Sequence, residues 1–78
     1  MKSITYTQTN INSGNVVELL NFNNEAEAMQ YFNEQAEGLN ISESTESVNN
    51  QVVTRTYEAE PSKWSMNKDF SYKLEICY

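Results

Sequence analysis

With 78 residues the chain has room for one small domain, since at about 70–80 residues or fewer a single core rarely supplies more than roughly 3–5 kcal/mol. At 38% hydrophobic residues, with nine aromatics, two glycines and one proline, it is neither collagen-like nor poor in apolar residues; residues 1–78 are expected to fold as one unit, alone or with a second copy. Eleven Asp and Glu against five Lys and Arg leave a formal net charge of −6, which disfavours attraction to phosphate backbones and argues against direct nucleic-acid binding.

Residues 3–12 set Ile4 and Tyr6 on one side and Thr5, Thr7 and Thr9 on the other, a period-two pattern rich in β-branched and aromatic residues that predicts a strand. Asn12-Ser13-Gly14-Asn15 reads as a turn, with Gly14 and the flanking asparagines supplying positive φ. Residues 16–22, from Val16 to Phe22, read as a second, more apolar strand that completes a hairpin. Eleven asparagines against two glycines point the same way throughout, because the short amide tolerates left-handed φ and bonds to nearby backbone.

Asn23 and Asn24 precede Glu25 and Glu27, a polar cap followed by carboxylates at the positive end of a helix. At 100° per residue Ala28, Met29, Phe32 and Ala36 share one stripe, Glu27 and Glu34 lie nearly opposite, and Glu37 falls at the edge. Gly38 is expected to stop the helix, which must lean on a sheet because a helix of about 12–15 residues is marginal alone in water.

Asn49-Asn50 between valines predicts a two-residue hairpin turn that sets Glu46 near Val53 and Ser44 near Arg55. Pro61 ends the second arm, and residues 62–69, which hold Trp64 and Met66, have no period and read as a loop. Phe70, Tyr72, Leu74, Ile76 and Tyr78 then alternate with Ser71, Lys73, Glu75 and Cys77, the clearest strand in the chain, its apolar face assigned to the core. The order β-β-α-β-β-β with short connections predicts an α+β fold: an antiparallel sheet of four to five strands with one helix packed on one face.

The chemistry is bounded by absences. Without histidine the commonest general base and metal ligand are gone, and with them the usual Ser and Cys nucleophile pairs. One cysteine, Cys77, allows no internal disulfide and no thiolate metal site within the chain. No calcium-loop spacing is present, and Gly14 and Gly38 open no phosphate-binding loop. The sequence therefore predicts no catalytic, metal or cofactor site and no enzyme. Absent apolar runs of signal or spanning length, the expectation is a cytoplasmic protein that engages no membrane.

Two features suggest contact with a partner. Glu27, Glu34 and Glu37 on the helix, with Glu43 and Glu46 on the following hairpin, present spaced negative charge of a kind that meets a basic groove, although plain solubility is the more ordinary account of such charge taken by itself. Trp64 either folds back to cap the open end of the core or stands out as an interface anchor.

The small, acidic, Asn-rich and His-free chain, with the lone helix segment NNEAEAMQYFNEQAEG on an antiparallel sheet, resembles small bacteriophage accessory proteins, among them the anti-CRISPR proteins and other inhibitors of host defence. The likeness covers size, charge and layout and no residue motif, and at −6 the chain is less acidic than strong DNA mimics. It implies a stoichiometric inhibitor, without catalysis, of a host protein or ribonucleoprotein that handles nucleic acid, seated on its basic nucleic-acid-binding or effector-recruiting surface. The alternative is a small assembly protein that self-associates through an exposed sheet edge or the Trp64 loop, so that the chain is a monomer or a homodimer.

Overall fold

The computed structural model describes residues 2–66 and 68–78; Met1 and Asn67, which belong to the N-terminal stretch and the irregular loop of the sequence reading, lie outside the described residues. The elements are β1 (Ser3–Asn10), β2 (Val16–Phe22), α1 (Glu25–Gln35), β3 (Asn40–Val48), β4 (Gln51–Glu60) and β5 (Phe70–Cys77). All five strands form one antiparallel sheet in the order β2-β1-β5-β4-β3, the α+β layout expected from the sequence.

The period-two residues make the centre of this sheet. Ile4 pairs with Ile76 and Tyr6 with Leu74, and all four are buried beneath the helix. From α1 come Ala28 and Phe32, with Ala36 at its C-cap, which close the core together with Ala59 of β4. Full burial of a side chain such as Phe32 contributes about 1.5–3 kcal/mol, so the helix is held by this stripe rather than by its own propensity. Its start is fixed by Asn24, whose Oδ1 accepts a hydrogen bond from the Glu27 amide at 3.1 Å. Lys2 ties the same end to β1 through an ion pair with Glu25 at 2.7 Å. The last helical residue is Gln35, Ala36 caps the end, and Gly38 at φ +81 turns the chain into β3.

Asparagine shapes the two hairpins by different means. After β1, which ends at Asn10 rather than Asn12, the Asn10 Oδ1 accepts from the amides of Asn12 and Ser13 at 2.9 and 3.1 Å. Only Gly14 in that turn takes positive φ, at +75, so the flanking asparagines act there through side-chain bonding and not through left-handed backbone. Between β3 and β4 the roles reverse: Asn49 and Asn50 lie at φ 55 and 65, the two left-handed residues of a type I′ turn.

A bulge corrects the expected register beyond this turn. Val48 pairs with Gln51 and Ser47 with Val52, but Glu46 then pairs with Thr54 and Ser44 with Thr56, one residue past the Val53 and Arg55 predicted. Val53 is the extra residue, and its insertion turns Arg55, Tyr57 and Ala59 toward the side that carries the helix.

The helix packs on β5, β1 and β2, and touches β4 through the Phe32 ring, 6.3 Å from that of Tyr57. All nine residues of β3 are exposed. The opposite face of the sheet is uncovered; it displays Thr5, Thr7 and Thr9 from β1 with Lys73 and Glu75 from β5, the polar half of each alternation turned to water. Among the described residues no helix is long and apolar enough to cross a membrane.

Candidate protein-docking surface

The carboxylates divide into those with a cation and those without. Glu25 is held by Lys2, Glu43 by Arg55 at 3.5 Å and Glu75 by Lys73 at 3.8 Å. The ammonium of Lys2 keeps the Glu25 carboxyl below its ordinary range, and Glu25 in return raises Lys2. A hydrogen bond to Tyr57 and the negative groups nearby push Arg55 up. Glu18 accepts the Tyr31 hydroxyl at 2.5 Å, which with partial burial pushes that phenol up. Besides Glu18, six glutamates among the described residues, Glu27, Glu34, Glu37, Glu46, Glu58 and Glu60, pair with no cation.

Three of these six form a ridge. Glu27 and Glu34, seven residues apart, and Glu37 just past the helix end occupy the exposed side of α1, opposite buried Ala28 and Phe32. From Glu27 to Glu34 the ridge runs roughly 10 Å at the helical rise of about 1.5 Å per residue, and Glu37 follows beyond the helix end. At its far end lies a cleft of about 330 Å³, lined by Gln35, Glu37, Gly38, Leu39, Trp64 and Phe70 among others. The Trp64 loop is fastened there: the Ser65 hydroxyl donates to the Gly38 carbonyl at 3.1 Å, and the Ser62 amide donates to the Ser65 hydroxyl at 2.9 Å. Trp64 is 83% exposed, with the Lys63 ammonium 5.0 Å from its ring centre, and Met66 beside it is fully exposed. Of the two readings of Trp64, the structure shows the outward one: the loop stays pinned to the helix end while the indole stands in solvent.

Glu43 and Glu46 do not join this ridge. Being three apart on a strand, they point to opposite faces of the sheet, Glu43 to the helix side against Arg55 and Glu46 to the open side across from Thr54. That parity was available in the sequence, as was the contrast with Glu58 and Glu60, which are two apart and share the open face. The structure thus brings Glu37 and Trp64 to one cleft, aligns Glu27 and Glu34 with them, and leaves the hairpin carboxylates elsewhere.

Sequence reasoning missed the surface of β2. Its apolar residues were expected to serve a hairpin, yet Val16, Val17 and Leu19 are 55%, 53% and 57% exposed. Only Leu20 and Phe22 pack against the core, with Phe22 5.7 Å from the Tyr31 ring. The clue was positional, since β2 forms a sheet edge; Leu19 and Asn21 face away from the helix, and a bulge at Val17 sets Val16 opposite Thr9 on that same open face.

No protein-family model matches this chain, and no curated protein or solved structure compared with it matches either.

Proposed function

We propose that this chain is a non-enzymatic binding protein that occupies the basic surface of a protein or ribonucleoprotein that handles nucleic acid, and so inhibits it in the manner of the phage inhibitors it resembles in size, charge and layout. The observation that carries the reading is the continuity of the Glu27–Glu34–Glu37 ridge, which pairs with no cation among the described residues, with the exposed Trp64 at the cleft. The two parts have different work. Exposed ion pairs contribute about 0.2–1 kcal/mol each, so three carboxylates steer the encounter and set orientation more than they hold the complex. A Trp buried at the centre of an interface contributes about 2 kcal/mol or more, which makes Trp64 the anchor. Carboxylates seated on Lys and Arg side chains displace the phosphates those side chains would otherwise bind.

The test is a pull-down from nuclease-treated bacterial lysate, with bound proteins eluted in salt and identified by mass spectrometry. The expected result is one nucleic-acid-handling complex, released by salt, lost with Trp64→Ala and weakened with Glu27→Lys/Glu34→Lys/Glu37→Lys. Undiminished capture by the triple variant removes the ridge from the reading; recovery of the bait alone removes the reading itself.

A further inference from the structure

We infer that β2 is a self-pairing edge through which two copies join antiparallel, strand β2 against the partner's β2, into one continuous ten-stranded sheet with both helices on the same side. The inference stands apart from the acidic ridge, which lies on another part of the surface.

The sheet has two edges, β2 and β3, and they differ in what they place at the rim. Along β3 the side chains are Asn, Ser, Thr, two glutamates and single Ile and Val residues, with Glu43 and Glu46 on opposite faces, so a second copy brought to this edge meets carboxylates whichever way it turns. Residues 16–22 carry one charge, Glu18, and its carboxylate is occupied by the Tyr31 hydroxyl. The open face of this edge is instead apolar, made by Val16, Val17 and Leu19, each more than half exposed. In a molecule of net charge −6, β2 is therefore the edge at which a second −6 body approaches without setting free carboxylate against carboxylate. Those charges name the occupant. A basic partner finds nothing to pair with on β2, whereas another copy finds the same uncharged apolar strip and an unfilled row of backbone donors and acceptors.

The register follows from the side chains. A two-fold axis at Leu19 sets Leu19 opposite its own copy and keeps the two Glu18 carboxylates out of direct opposition; the regular part of the contact lies on the Glu18–Phe22 side of the bulge at Val17, the extra residue between the Gln8–Glu18 and Thr9–Val16 pairs. Because the contact is isologous and β3 is guarded by charge, assembly closes at two.

Sedimentation equilibrium of the full chain across protein and salt concentrations tests this. The expected mass is twice 9.0 kDa, with association strengthened by salt as the repulsion between the two acidic bodies is screened, the opposite of the salt dependence of a complex with a basic partner. Leu19→Lys, at an exposed position that the fold does not need, gives a monomer at the same concentrations; Val17→Lys is the second variant should the first fail to fold. In a Cys77→Ser background, Leu19→Cys cross-links on mild oxidation, since opposed residues in an antiparallel pair lie about 4.5–5.5 Å apart at Cα, within disulfide reach, while Ser44→Cys on the other edge does not. A wild-type monomer at all concentrations up to about 1 mM (a contact weaker than roughly −4 kcal/mol), a dimer that persists in folded Leu19→Lys, or cross-linking of Ser44→Cys as fast as that of Leu19→Cys each overturns the inference. None of these outcomes bears on capture through Trp64.

Discussion

Replacement of Tyr6 by Phe is expected to stabilise the protein, against the usual direction of a core substitution. Tyr6 is 0% exposed, and its hydroxyl has no hydrogen-bond partner among the described residues. Its ring is well used, edge-on to Tyr31 at 4.9 Å and stacked with Tyr72 at 6.3 Å, and Phe keeps both contacts. An unsatisfied buried polar group costs about 1–3 kcal/mol, and the one-oxygen gap left by Phe returns a fraction of that as lost packing. A net gain of about 1 kcal/mol follows, which for a domain of this size raises Tm by about 4–8 °C. Thermal and urea unfolding of the two proteins measure it, with an unchanged m-value showing that the native state is the one affected. A fall in Tm of several degrees in Tyr6→Phe refutes the reasoning, because it means that the hydroxyl is bonded in solution and that the bond is worth more than its desolvation.

Asn24→Ala removes the acceptor of the Glu27 amide and is expected to cost about 1 kcal/mol, read as a lower urea midpoint, whereas Asn23→Ala, one residue outside the cap, costs little. Stability is also expected to fall as pH rises above about 10: Tyr6 and Tyr72 are pushed up chiefly by burial and Tyr31 chiefly by its bond to Glu18, so the folded state holds protons that the unfolded state releases near pH 10. Raised Lys2 acts in the same direction, present below its unfolded value and lost as pH climbs through the folded one, while lowered Glu25 contributes above its unfolded value and is lost as pH falls through the folded one. Tyrosinate absorbance against pH, folded and in urea, checks this; coincident titrations in the two states sink it.

The sequence was most legible where a single period governs a segment. Alternation in β1 and β5 gave both the strands and the buried side of each, because one face of a half-covered sheet must be apolar and the other must not. The exception is Tyr78, assigned to the core face, which lies past the end of β5 and is 45% exposed, since that face must be apolar only as far as the cover reaches. Asn24 and the Ala28–Phe32–Ala36 stripe gave the helix, since capping and burial are written in adjacent residues. The bulge at Val53 was hidden, as Val52-Val53 looks like any strand interior and an inserted residue leaves no mark in composition. The fate of Trp64 was open for a related reason: whether an indole is buried depends on how much room the other aromatics leave, and here Tyr6, Tyr31, Phe32 and Tyr72 already crowd the core side. Of the candidate surface, the helix carboxylates were readable from their angular spacing, while their meeting with the Trp64 loop depends on a tertiary bond, Ser65 to Gly38, that no local pattern encodes.

The strand order carries a consequence for how the chain is made. β5 is the last element in sequence yet lies in the middle of the sheet, pairing with β1 on one side and β4 on the other. Until its residues have left the ribosome, the nascent chain consists of two unconnected hairpins and a helix with nothing to rest on, and two-stranded hairpins alone are at best marginal in water. The sheet therefore forms only once β5 is available, when it threads between the β1–β2 and β3–β4 pairs and brings Leu74 and Ile76 under Phe32. Such non-local pairing is slow relative to helical folds. It also means that a stalled chain lacking β5 never reaches the native sheet and is presented to proteases and chaperones as an unfolded substrate.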